Sequence, residues 1–185
     1  MQIEKRNEMS GIVEKIFPTN SVSIVLDQAS EFTNQLLDQN ILHSKLIELV
    51  TVDDLKLLVP YLSVTQNMSL TKKNYKKTEK SIISKLIYGH HFNRHSPNFM
   101  DKKITSLNQM DRAIILLFRA VLNNNSIIIL TNLIDTFSIT ETRFFIDFVT
   151  ELTFQLNLRI IITTNQPELL TQPQVMPFNK SPLRK

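Results

Sequence analysis

The chain has 185 residues, 42% hydrophobic and 21% charged, enough for one compact domain with a real core and a small subdomain. It contains no cysteine, which excludes disulfides, thiol catalysis and thiolate metal sites and fits a reducing cytoplasm. The net charge of +4 is unevenly placed: from Met68 to Lys103 nine Lys/Arg stand against two acids, a local +7, so the rest of the chain sums to about −3.

The opening "MQIEKRNEMSGIVEK" is charged and has no apolar h-region, so it is not expected to be a secretory signal. No apolar run approaches the roughly 18 residues of a membrane span, and a cytoplasmic location is expected. "SVSIVL" (21–26) reads as a short buried strand, and "SEFTNQLLDQN" as a helix with Ser30 as its N-cap. "KLIELVTV" reads as a second strand, and "VPYLSVTQNMSL" as a proline-containing connection. "LTKKNYKKTEKSIISKLIYG" is predicted to form a helix closed by Gly89, followed by a loop over "HHFNRHSPNF".

The second half is more regular. From Asn108 to Leu122, Ile114, Ile115, Leu117, Phe118, Val121 and Leu122 recur at helical spacing. "SIIIL" is a strand. Thr140 to Leu156 is a second amphipathic helix, with Phe145, Phe148, Val149, Leu152 and Leu156 on one face. "LRIIITT" is a further strand. The tail, with Pro173, Pro177 and Pro182, is expected to be irregular. Strands that are continuous apolar runs, alternating with helices, predict an α/β sheet covered on both faces. The expected organisation is a core over 1–65 and 107–170, a smaller helical basic portion over 66–106, and a tail over 171–185.

The order and spacing of these segments resemble the ATP-binding cassette (ABC) ATPases, which implies a P-loop NTPase-like fold. "VSIVLDQASEFTNQLL" is similar to the family's first strand, phosphate loop and helix, and "VPYLSVTQNMSL" to the segment after its Q-loop. "FRAVLNNNSIIILTN" resembles the helix after the signature motif running into the Walker B strand. "ITETRFFIDFVTELTFQLNLRIIITTNQPELL" resembles the helix after the D-loop and the strand leading to the switch histidine. From Arg119 to Gln166 the register holds with essentially no gaps.

The departures from that pattern are systematic. A phosphate loop needs glycines so that its N–H groups can close on phosphate, then a Lys and a Ser/Thr. The matching stretch, Asp27 to Gln35, has no glycine, and the chain's two glycines are Gly11 and Gly89. Thr33 stands at the Lys position, and Asp27 and Glu31 bring negative charge. Asn108 and Gln109 lie near the signature without its paired glycines. Thr131 and Asn132 fall where the Walker B Asp and the catalytic Glu would be, and Asn165 stands at the switch His. About twenty residues separate the loop from Asp53 and Asp54, near the Q-loop position, roughly half of what a transporter ATPase spends on its antiparallel adenine-holding subdomain. The expectation is a protein without ATP hydrolysis, ATP or catalytic residues.

The loss of every motif, together with the basic segment, resembles the accessory spacer-adaptation protein of type II-A CRISPR systems. "SIVLDQASEF", "KSIISKLIY", "NNNSIIILTNLIDTFSITE" and "NLRIIITTNQPELL" carry that looser likeness. It implies a tetrameric ring, calcium, double-stranded DNA ends as ligand, and CRISPR integrase or nuclease proteins as partners. The candidate DNA-binding residues are Lys72, Lys73, Lys76, Lys77, Lys80, Lys85, Arg94, Lys102 and Lys103. Lys72, Lys76 and Lys80 repeat at i, i+4 and i+8, a self-repelling row that a polyanion would relieve; a plain solvated face fits the same pattern. The alternative partner is an ABC permease or a competent partner ATPase, because the "PYLSVTQNMSL" region contacts permeases in transporters.

His90, His91 and His95 lie between Gly89 and Pro97 in a predicted loop, with no acid or Cys to complete a zinc set, and read as loop histidines. Asp53, Asp54 and Asp135 are candidate cation ligands. Isolated acids do not supply the several oxygens calcium needs, and turn or cap roles account for them equally.

Overall fold

The computed structural model describes residues 20–38, 47–70, 77–88, 98–123, 126–171 and 175–176. Short Ile/Val/Leu runs form the strands, and the longer stretches of helical period form the helices. In chain order the elements are β1 (Ser21–Leu26), α1 (Glu31–Asp38), β2 (Ile47–Thr51), α2 (Val64–Ser69) and α3 (Lys77–Tyr88). There follow α4 (Gln109–Leu122), β3 (Ile127–Thr131), α5 (Ile139–Leu156), β4 (Arg159–Thr164) and β5 (Val175–Met176).

The strands form one sheet in the order β2-β3-β4-β1-β5, with every neighbouring pair parallel. The register sets Leu130 beside Val50 and Ile162, and Ile162 beside Ile24. Because strand side chains alternate, these residues share a face with Ile128 and Ile160, and all belong to one buried apolar cluster. Helices α4, α5 and α3 complete that cluster: α4 lies against β2 and β3, α5 against β1 and β4, and α3 against both helices. Phe118 of α4 and Phe148 of α5 meet edge to face with centroids 5.8 Å apart. The opposite face, with Val25, Ile47, Ile127, Ile129 and Ile161, is buried as well. A sheet covered on both faces is what continuous apolar strands require.

The residues of 66–106 that enter the core, among them Met68, Ile83, Ile87 and Phe99, do so in the same cluster as α4 and α5. The connection before α2 is organised by buried Asn67. Its Oδ1 accepts from Val59 N at 2.8 Å, and its Nδ2 donates to the carbonyls of Val59, Leu62 and Ser63. Ser63 and Gln66 add a reciprocal capping box at the start of α2.

Among the described residues five have positive φ: Asn20, Ser30, Asn98, Asn132 and Asn157; both glycines lie outside the described residues. Asn tolerates the left-handed region better than most side chains, so in a chain with two glycines it takes over turns and the α5 C-cap at Asn157.

Two expectations change. Ser30 is not the N-cap of α1: it has φ 57°, in the left-handed region, and the helix is capped by a residue further back. The tail expected to be irregular supplies Val175 and Met176 as an edge strand pairing with Ile24 and Val25. Edge positions tolerate prolines nearby, since one side of the strand needs no partner.

Candidate functional site at the carboxyl ends of the strands

In open parallel sheets, ligands bind outside the carboxyl ends of the strands. Here that edge carries Asp27 after β1, Thr131 and Asn132 at the end of β3, and Thr164 and Asn165 at the end of β4. The positions expected to match the family's nucleotide-binding residues are therefore brought together at one edge.

Asp27 is 1% exposed. Its carboxylate accepts from Phe32 N at 2.6 Å and from Thr33 N at 3.1 Å, and from Thr33 Oγ1 at 2.7 Å. These amides belong to the first turn of α1, whose N–H groups have no partner within the helix. In a phosphate loop, such amides and a hydroxyl point at phosphate. Here an internal carboxylate has taken them. Thr33, expected at the Lys position, is buried and supplies a donor to Asp27 rather than a cation.

A second carboxylate organises the other loops. Asp135 accepts from the Thr164 hydroxyl through Oδ1, and from Asn165 N (3.0 Å) and Asn165 Nδ2 (3.2 Å) through Oδ2. Its main-chain carbonyl accepts from Gln166 Nε2 at 3.2 Å. The residue at the switch position is thus fastened to the loop after β3. Both carboxylate oxygens accept from protein donors, so Asp135 connects the loop after β3 to the end of β4.

Thr164 joins the two carboxylates. Its carbonyl accepts from Asp27 N at 2.9 Å, and its hydroxyl donates to Asp135 while accepting from Gln166 N at 3.1 Å. Asn132, at the catalytic Glu position, has φ 55°. Its N–H donates to Thr163 O at 3.1 Å and its Oδ1 accepts from Thr163 Oγ1 at 3.2 Å. The backbone there suits Asn better than Glu. Thr131, expected at the Walker B Asp position, is buried, and its hydroxyl finds no hydrogen-bond partner among the described residues.

Asp53 and Asp54 follow β2 on the same edge, where Thr51 pairs with Thr131, but both are engaged locally, and Asn108 and Gln109 start α4. Asp54 caps the turn at residues 52–57, accepting from Thr51 N at 2.7 Å and Thr51 Oγ1 at 3.1 Å. Asp53 pairs with Lys56 at 2.6 Å on the open surface, and that ammonium holds its carboxyl below the usual carboxylate range. Asn108 caps α4 through Asp111 N at 2.7 Å, with Nδ2 donating to Glu141 Oε1 at 3.1 Å; Gln109 is exposed in the first turn.

Of the lysine set, Lys85 and Lys103 are exposed and Lys102 half-buried. Lys77 and Lys80 lie in α3, with side chains outside the described residues, as are Lys72, Lys73, Lys76 and Arg94. His90, His91, His95 and Gly89 also lie outside them. Among the described residues no group of three or more His, Cys, Asp or Glu is placed to hold a metal ion. No helix of the described residues is long and apolar enough to cross a membrane. Sequence reasoning missed the roles of Asp27 and Asn67. The signal at Asp27 was an acid directly after a buried strand, five residues before the first amide it caps.

Sheet order, parallel pairing and the loops at the strand ends define a P-loop NTPase-like fold of the ABC ATPase kind. The chain resembles cbiO1 from Clostridium perfringens, part of the ABC transporter complex cbiONQ, with a TM-score of 0.58 at 16% identity over 81% of this chain and 69% of that one. It resembles equally an inward-facing metal-chelate type ABC transporter, with a TM-score of 0.59 at 16% identity over 88% of this chain and 70% of that one. No family model matches the chain. No curated protein matches its sequence.

Proposed function

We propose that this chain is a non-hydrolysing protein of ABC ATPase-like fold that works by docking, on an ABC permease or a competent partner ATPase, rather than by turning over ATP. The observation that carries this reading is the Asp27 carboxylate seated on the Phe32 and Thr33 amides. Nucleotide phosphate would meet a buried anion and occupied donors where it needs free amides and a Lys. In this reading Thr131, Asn132 and Asn165 supply neither a carboxylate nor an imidazole at the three positions that would hold magnesium or orient water.

The docking side of the reading is supported by the segment around α2. Tyr61 and Leu70 are exposed, Tyr61 to 74%, on the stretch that resembles the permease-contacting region of transporters, and Leu57 is exposed just before it. The structural neighbours described above, one a transporter and the other part of a transporter complex, point the same way. In this reading the protein sits at the cytoplasmic face of its permease.

Two measurements test it. Magnesium–ATP should neither be hydrolysed nor raise the unfolding temperature; turnover or stabilisation overturns the reading. The chain should retain a membrane protein from detergent-solubilised membranes, and Tyr61→Asp should release it. A gel shift with linear duplex at low salt, lost steeply as salt rises, would instead move the function to DNA. That outcome would rest on the lysines of 72–80, which lie outside the residues whose side chains are described.

A further inference from the structure

Arg112 and Arg119 lie seven residues apart in α4, two helical turns, so they share one face with about 10 Å between their Cα atoms. Both are half-buried. Arg112 Nε and Arg119 Nη1 are buried with no hydrogen-bond partner among the described residues, and no ion pair described there reaches either guanidinium. The acids bordering this face are spent elsewhere. Asn123, three turns beyond Arg112 on the same face, donates to Glu48 Oε2 and Oε1 at 3.1 and 3.2 Å, which sets the arginine face beside β2, the edge strand. The turn at 52–57 also lies against α4, and its Asp53 and Asp54 are taken by Lys56 and by Thr51. A buried guanidinium nitrogen left unpaired costs free energy. Two on one face call for an anion that the described residues do not supply.

Resting on the docking reading above, we propose that Arg112 and Arg119 are the ionic half of the docking surface and receive carboxylates from an acidic cytoplasmic segment of the permease. Leu57, 62% exposed at the end of the turn against α4, and Tyr61 supply the apolar half. Tyr61 is held just ahead of α4, because the carbonyls of Pro60 and Leu62 accept from Thr105 N and Ile104 N. A carboxylate accepts from two guanidinium nitrogens at once. Seating one therefore lifts the buried nitrogen into a hydrogen bond while the arginine stem stays on its apolar bed. The spacing suits two acids seven residues apart on a helix, which spans the same two turns. The sign of the charge adds specificity. Cytoplasmic loops of membrane proteins carry an excess of Lys and Arg, which this face repels, so an acidic segment singles out the cognate partner.

The test uses the full chain and detergent-solubilised membranes, with Leu57→p-benzoylphenylalanine as a photo-cross-linker to map the segment that docks. That segment should carry Asp or Glu. Arg112→Met with Arg119→Met, which keeps the apolar stems, should lower retention about tenfold at low salt, and wild-type retention should fall as salt rises. Arg112→Glu with Arg119→Glu should abolish retention, and changing the mapped acids to Lys should restore it. In the free chain the double methionine variant should unfold at the wild-type temperature or above it, since unsatisfied buried donors are removed. A lower unfolding temperature together with lost retention assigns the arginines a structural role and overturns the proposal. A docked segment without acids, or equal retention of wild type and methionine variant, overturns it too and leaves the docking reading intact. A wild type that retains no membrane protein overturns the docking reading and this proposal with it.

Discussion

Asp27 and Asp135 are both carboxylates at the carboxyl edge of the sheet, and they do different work. Asp27 bonds five and six residues ahead, within its own strand-to-helix junction. Asp135 bonds 29 and 30 residues ahead, between the loop after β3 and the end of β4. The first closes a loop on itself; the second fastens two loops to each other. In the reading proposed above, these places would belong in a hydrolysing ATPase to phosphate and to a mobile switch residue. Here one is filled and the other is tied, so the edge that would bind and respond to nucleotide is stabilised by its own side chains.

The comparison predicts unequal costs. Asp27→Ala should have the largest, roughly 2–4 kcal/mol in urea unfolding, because buried amides and a hydroxyl lose their acceptor together. A cost near zero would mean that α1 is capped in some other way. Asp135→Ala, at a half-buried site with solvent available to its partners, should cost about 1–2 kcal/mol. Its signature is local: faster amide exchange at Asn165, with the centre of β4 still protected.

Thr164 meets Asp27 through the main-chain N–H, which Asp27→Ala leaves in place, so the Asp27→Ala and Asp135→Ala effects should add within about 0.5 kcal/mol in a double-mutant cycle. A larger coupling would show that the two carboxylates communicate through Thr164.

Thr131→Val should be neutral or slightly stabilising, since it removes a buried hydroxyl with no partner. A clear loss of stability would reveal a partner for that hydroxyl. Smallest of all, Lys56→Ala should leave the unfolding temperature unchanged, because the Lys56–Asp53 pair stands in open solvent.

The strands at 21–26, 47–51, 127–131 and 159–164 and the helices over 109–122 and 139–156 were legible because each is specified locally. Apolar runs bounded by polar residues, helical periodicity, and caps such as Asn108 and Ser138 fix them within a few residues. The absence of glycine and Lys from Asp27 to Gln35 was equally legible, since it is a matter of composition. What replaced them was not. The Ser30 cap assignment failed because a left-handed residue there lets the chain carry Asp27 back over the start of α1. The edge strand at Val175 and Met176 was missed because a two-residue strand has no pattern of its own and exists only where β1 offers an unpaired edge.

The sequence alone determined that this is an α/β sheet protein with neither glycine nor lysine from Asp27 to Gln35, because periodicity and residue identity act over short range. Only the tertiary structure decided that the Asp27 carboxylate takes the first amides of α1 and that Asp135 ties the end of β4 through Thr164 and Asn165. The physical reason is that a hydrogen bond depends on distance and direction. For residues some thirty positions apart, both are set by the packing of the sheet and not by the order of the chain.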